Sequence, residues 1–213
     1  MKVDVKLDSL RAVITERLGD FRAKHVLSTE NEAARIAAVY LPEKMEKVRI
    51  SALLHDITKE YDTKKQLQIL NEFGIIIDNV TLKSPKVLHA LTASLLIPVE
   101  FEEFADDEII SAVRNHTTGH KNMSLLDIII YLADYIEPTR KFEDCIKLRE
   151  YFWGGLEGLV TQNEKLLHLY KTMVMSFDFT IENLISEHCV VATDTFAARN
   201  EFILKCLNVS EEN

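Results

Sequence analysis

His55 and Asp56 stand side by side at the end of an apolar run that includes Ile50, Leu53 and Leu54. A helix that buries leucine has no structural use for an imidazole next to a carboxylate, because a buried unpaired carboxylate is costly. A cation between the two removes that cost. Adjacent helical residues diverge by roughly 100°, so both side chains reach one ion only at the edge between them, and further ligands must arrive from other helices. His25, His89, His116 and Asp134 lie in separate segments that read as four other helices, and imidazole with carboxylate suits zinc, iron or manganese.

Each candidate also has a plainer reading. His116 follows Ile109, Ala112 and Val113 on one helical stripe, which points its ring at the core, where a histidine is more often simply packed. Thr117, Thr118 and Gly119 come directly after it and offer two hydroxyls and a permissive backbone, a suitable lining for phosphate oxygens. Asp134 follows Ile128, Ile129, Ile130 and Leu132 and is assigned to the ion. Two imidazoles with two carboxylates neutralise a divalent ion and leave positions for water and substrate. His25 shares a helix face with Phe21 and Arg22, and His89 shares one with Thr92, Ala93 and Leu96. Lys59 and Arg140 read either as surface cations or as phosphate clamps beside an ion. His120, His168 and His188 are given no role, and His168 is expected to pack within a long helix.

Helices must carry these groups. The 213 residues are 47% hydrophobic, enough for a real core and most simply one domain over 1–213. Only 6 Gly and 4 Pro leave little material for the turns of an all-β protein. Apolar spacing and stop signals predict helices over 5–18, 21–40, 42–55, 64–73, 84–98, 106–116, 125–136 and 142–152. Residues 159–187 read as one long helix or two broken near Asp178, and Asp194 caps a last helix through Leu207. Pro98 is expected to close its helix, and Ile75-Ile76-Ile77 is expected to be loop because so short a strand has no partner. The fold class is all-α, a bundle of about nine helices. A net charge of -9 argues against general nucleic-acid binding. No apolar run approaches the roughly 18 residues that span a bilayer. The 3 cysteines, widely spaced, suggest neither a disulfide framework nor a thiolate site and fit a reducing cytoplasm.

The order His25, His55-Asp56, Asp134 resembles the signature of the HD-domain metal-dependent phosphohydrolases, an all-helical superfamily. The segments Ala52–Lys59, Leu88–Ala90, Arg114–Gly119, Tyr131–Arg140 and Asp194–Asn200 are similar to one branch, the YqeK family of symmetrical diadenosine tetraphosphatases, over roughly residues 8–204. That resemblance implies His25, His55, Asp56 and Asp134 as ligands of a divalent metal, iron first, with manganese or zinc as alternatives. It implies Arg22, Lys59, His89, His116 and Arg140 facing the nucleotide, with Thr117, Thr118, Gly119 and Tyr135 in the same surroundings. The reaction it implies is cleavage of diadenosine tetraphosphate to two ADP by a metal-activated water, with Asp56 orienting the water and Lys59 offsetting phosphoryl charge. A second ion on His89 and His116 stays open. So do another HD nucleotide phosphohydrolase activity, on guanosine tetraphosphate or a cyclic nucleotide, and a non-catalytic nucleotide sensor. The expected partner is a small nucleotide, with no nucleic acid and no membrane, and a homodimer is left open. One position departs from the family: Ser28 stands where its members more often have glycine, which bears on helix packing or on the nucleotide's approach.

Overall fold

The computed structural model describes residues 2–211, with side chains described over 5–209. The elements are α1 (Lys2–Arg17), α2 (Asp20–Tyr40), α3 (Met45–Leu54), α4 (Thr63–Glu72), α5 (Asn79–Leu82) and α6 (Leu88–Glu100). They continue as α7 (Asp107–Asn115), α8 (Leu125–Ile136), α9 (Glu143–Gly155), α10 (Gln162–Ser186) and α11 (Thr193–Glu211). Short 3-10 turns occupy Pro42–Lys44, Pro85–Val87 and Glu102–Phe104, and no strand occurs among the described residues. The architecture is all-α, as expected. The 11 helices exceed the expected nine or so, partly because one-turn α5 forms where Asp78 caps it, its carboxylate accepting from Thr81 N–H.

α8 is the central member. Nearly all of its residues from Leu126 to Ala133 are buried, the pattern of a helix surrounded by others. A capping box fixes its start: Ser124 Oγ accepts from Asp127 N–H, and the Asp127 carboxylate accepts from Ser124 N–H at 2.7 Å. It packs on α2, α7 and α9. One apolar cluster joins the C-terminal half of α2, through Ile36 and Tyr40, to α8, α9, α10 and α11. A second joins α1 to the start of α2, through Ala23 and Val26, and to α6 and α7. α3 divides its side chains between them, Val48 and Ala52 toward the first, Leu53 and Leu54 toward the second. Burying each of those leucines stabilises by about 1.5–3 kcal/mol, which holds the end of α3 and the turn after it in place.

Two helix ends differ from the sequence reading. Pro98 does not close α6, which runs on to Glu100. The proline lies on the exposed side of the last turn, where it removes one backbone bond, while Leu96, Ile97 and Phe101 bury themselves in the second cluster. Of the two alternatives for 159–187, one long helix holds: α10 is unbroken at Asp178, whose carboxylate accepts from Arg199 on α11 instead of competing for its own backbone. Thr193, not Asp194, begins α11. Ile75–Ile77 is loop, as expected. No helix among the described residues is long and apolar enough to cross a membrane.

Candidate metal centre

Six donor residues meet from five elements. α2 brings His25, the turn after α3 brings His55 and Asp56, the first turn of α6 brings His89, the end of α7 brings His116 and the last turn of α8 brings Asp134. His25 Nε2 lies 2.9 Å from Asp134 Oδ1 and 3.7 Å from Asp56 Oδ2. His55 Nε2 lies 3.5 Å from Asp56 Oδ2 and 3.7 Å from Asp134 Oδ1. On the other carboxylate oxygen, His89 Nε2 is 3.2 Å and His116 Nε2 3.7 Å from Asp56 Oδ1. Two sets of ligand atoms come close enough to share an ion, His25, His55 and Asp134 in one and His55, Asp56 and His116 in the other.

The hydrogen bonds behind the rings decide their tautomers. Nδ1 of His55, His89 and His116 lies 2.6–2.7 Å from a carbonyl oxygen three residues earlier, Ala52, Lys86 and Val113 in turn. A carbonyl only accepts, so each Nδ1 carries a proton, and in the neutral form of each ring it is Nε2 that aims a lone pair into the centre. His89 and His116 therefore set two acceptor nitrogens 2.9 Å apart, with the Thr117 hydroxyl, 3.1 Å from both, and Lys59 Nζ, 3.1 Å from His89 Nε2, to offer protons. His25 Nε2, His55 Nε2 and Asp56 Oδ1 are buried without a well-directed hydrogen bond. Lone pairs converging on one another inside a protein suit a cation, and an N,O donor set without thiolate fits a divalent transition metal.

Three side-chain cations border the same centre. Arg22 Nη1 donates to Asp56 Oδ2 at 2.7 Å, and Arg140 Nη2 to Asp134 Oδ1 at 2.6 Å. Lys59 Nζ lies 3.1 Å from His89 Nε2. Burial would raise both aspartates, but His55, His116 and His89 hold Asp56, and Arg140 and His25 hold Asp134, well below the ordinary carboxylate range. Burial lowers His89 to about 4 and also lowers His116, so both are neutral at pH 7. Burial would lower His25 too, yet Asp134 and Glu137 outweigh it and raise that ring to about 9. Burial also lowers Lys59 from its ordinary value, with Asp56 and Asp134 offsetting only part.

His25, His55, Asp56, His89, His116, Asp134, Arg22, Lys59, Arg140 and Thr117 thus come together as the sequence suggested. Three others do not. Thr118 Oγ1 donates to Gly119 O, and Tyr135 donates its hydroxyl to Asp144 at 2.6 Å instead of turning to the centre. Gly119 has φ +65 and is buried where a Cβ would stand 2.6 Å from Phe177, so its reason is close packing, not phosphate contact. His168 is buried in α10 as expected, its Nε2 2.9 Å from Phe152 O.

The sequence reading missed Glu137. It appeared there only as the end of α8, yet it is fully buried and its Oε1 lies 3.1 Å from His25 Nδ1. Thr139 donates to it through N–H at 2.6 Å and through its hydroxyl at 2.5 Å, and a Ser28 hydrogen bond helps hold the carboxyl down at about 2 against its burial. Ser28, the residue departing from the family pattern, thus acts on the carboxylate that orients His25. A glutamate between a helix end and a proline was the available signal, but its partner is 112 residues away. Thr58, whose hydroxyl donates to His89 O at 2.9 Å, was also missed.

An all-helical scaffold with a histidine–aspartate cluster able to hold a divalent metal among fixed cations fits the class of metal-dependent hydrolases acting on phosphate esters or anhydrides. The chain belongs to the HD-domain family, whose model matches residues 22–139. It is 28% identical over 193 residues to a symmetrical bis(5'-nucleosyl)-tetraphosphatase of Halalkalibacterium halodurans, covering 91% of this chain and 95% of that one. A symmetrical bis(5'-nucleosyl)-tetraphosphatase of Bacillus subtilis is 28% identical over 89% of this chain and 93% of its own. Among solved structures, a Clostridium acetobutylicum protein described as a predicted HD superfamily hydrolase involved in NAD metabolism is 32% identical, with a TM-score of 0.79. That match covers 93% of this chain and 97% of the other.

Proposed function

We propose that this protein hydrolyses diadenosine tetraphosphate symmetrically to two ADP, using iron held by His25, His55, Asp56 and Asp134, with His89 and His116 completing a place for a second ion. The observation that carries the reading is the convergence of four imidazole Nε2 atoms and two carboxylates beside Arg22, Lys59 and Arg140. The relatives named as symmetrical tetraphosphatases support the substrate. Iron, manganese and zinc all suit imidazole with carboxylate. Number and spacing of the cysteines support a reducing cytoplasm as the setting.

When bound, such ions supply Lewis acidity toward phosphoryl oxygens and lower the pKa of a ligated water from about 15.7 toward 7. The chain's own residues do the rest. Asp56, held ionised, presents a hydrogen-bond acceptor at the centre of the donor set and orients the attacking water. Lys59, three residues on, supplies a positive charge to the phosphoryl oxygens, and Arg22 beside Asp56 and Arg140 beside Asp134 add guanidinium groups that suit phosphate geometry. Thr117 adds a hydroxyl donor within 3.1 Å of both His89 and His116.

Purified protein loaded in turn with iron, manganese and zinc is to be assayed against diadenosine tetraphosphate, guanosine tetraphosphate and cyclic nucleotides. ADP as sole product from the dinucleotide is expected. Binding without product in every metal form refutes the catalytic reading and identifies a sensor. His55→Ala is expected to lose metal and turnover together, and full metal occupancy in that variant refutes the ligand assignment.

A further inference from the structure

We infer that a cavity of about 310 Å³, lined by chain neighbours of His89 and His116, seats one adenosine end of the dinucleotide, leaving the polyphosphate to reach the metal centre. The inference rests on the proposed dinucleotide substrate. Its walls are the loop 75–78 with α5 through Val80 and Thr81, α6 through Ala90 and Leu91, α7 through Arg114, and the start of α11 through Asp194. Val87 and Ala90 bracket His89, and Thr118 follows His116 by two residues, so the elements that carry the two rings also line this space.

The chemistry of the lining selects a nucleoside over a phosphate. Ile77, Val80, Val87 and Leu91 give an apolar wall suited to a purine face. Asp78 and Asp194 add carboxylates, which accept from ribose hydroxyls or an exocyclic amine and repel a polyphosphate. At the metal centre, Lys59 beside His89, with Arg22 on Asp56 and Arg140 on Asp134, favours that polyphosphate. Arg114 is exposed and has no carboxylate partner among the described residues. It stands between this space and a neighbouring cavity of about 370 Å³ that also borders Leu91, Thr118 and Asp194, where its plane can stack on a base. The volume is at the low end for a small-molecule site, large enough for one nucleoside and too small for the whole dinucleotide. Ile76 is 96% exposed on the bordering loop, an apolar side chain next to the opening with no cover of its own.

The test is calorimetric titration of adenosine into the metal-loaded protein, its Arg114→Ala variant and its Val80→Trp variant, alongside steady-state kinetics on diadenosine tetraphosphate and measured metal content. The expected result is adenosine binding by the parent protein, weaker by about ten-fold in Arg114→Ala and lost in Val80→Trp. KM for the dinucleotide should rise by a similar factor, with kcat and metal content retained. Absence of adenosine binding at millimolar concentration, or equal binding by all three proteins, overturns the inference. Adenosine binding that Val80→Trp abolishes, in a protein that never cleaves the dinucleotide, upholds the cavity and sinks the proposed function. Cleavage with unchanged KM in both variants does the reverse.

Discussion

Glu137→Gln is the most informative substitution that the centre offers. It keeps the size of a side chain that accepts from His25 Nδ1, from Thr139 N–H and hydroxyl, and from Ser28. A carboxylate takes all of these on two oxygens, whereas an amide must turn its NH2 toward one of them and leave a buried donor facing a donor. Such a mismatch costs about 1–3 kcal/mol. Removing an orienting partner from a metal-binding histidine typically costs about 10–100-fold in metal affinity, or about 1.4–2.7 kcal/mol, so the two estimates agree. Metal affinity is to be read by competition with a chelating dye. The thermal midpoint of the metal-free protein is expected to drop by about 2–12 °C, at roughly 2–4 °C per kcal/mol for a chain of this size. A variant that folds normally and binds metal within about two-fold of the parent refutes the claim that Glu137 fixes His25 as a ligand.

Lys59→Ala should retain full metal content and lose about 10²–10³-fold in kcat, since its charge acts on the reacting phosphate and not on the ion; metal analysis with kinetics checks this. Gly119→Ala should destabilise by more than about 1 kcal/mol, because it places a Cβ 2.6 Å from Phe177 at a residue with φ +65, and urea denaturation measures it. In the metal-free protein His25 is raised to about 9 from an ordinary value of 6.5, so the folded state holds its proton more tightly than the unfolded state does. That contribution is fully present below pH 6.5 and is lost as pH rises through 9. The melting temperature of chelator-treated protein should fall across that window, and less so in Glu137→Gln.

Much of the centre was legible because its ligands interrupt apolar patterns. His55-Asp56 after Leu53-Leu54, and Asp134 after three isoleucines, are polar groups where packing alone would place none. The helices were legible for a similar reason: Ser124 before Leu125 and Gly74 after Phe73 mark ends that depend on neighbouring residues. What escaped depends on distant ones. Glu137 gains its role only when α8 comes to rest against α2, and the choice between one long helix and two at Asp178, left open by the sequence, is made when Arg199 arrives from the next helix. Pro98 failed as a stop because the burial of Ile97 and Phe101 outweighs one missing backbone bond.

The turn after His116 leans on helices that the family model does not include. Thr195 donates its hydroxyl to Thr118 O at 3.0 Å, and Gly119 lets Phe177 and Ala198 close against the backbone. A trimmed catalyst cut after residue 140 would keep every ligand and lose the brace under one of them. Chimeras between relatives joined at that point would work only where residue 119 and the aromatic beneath it come from the same parent.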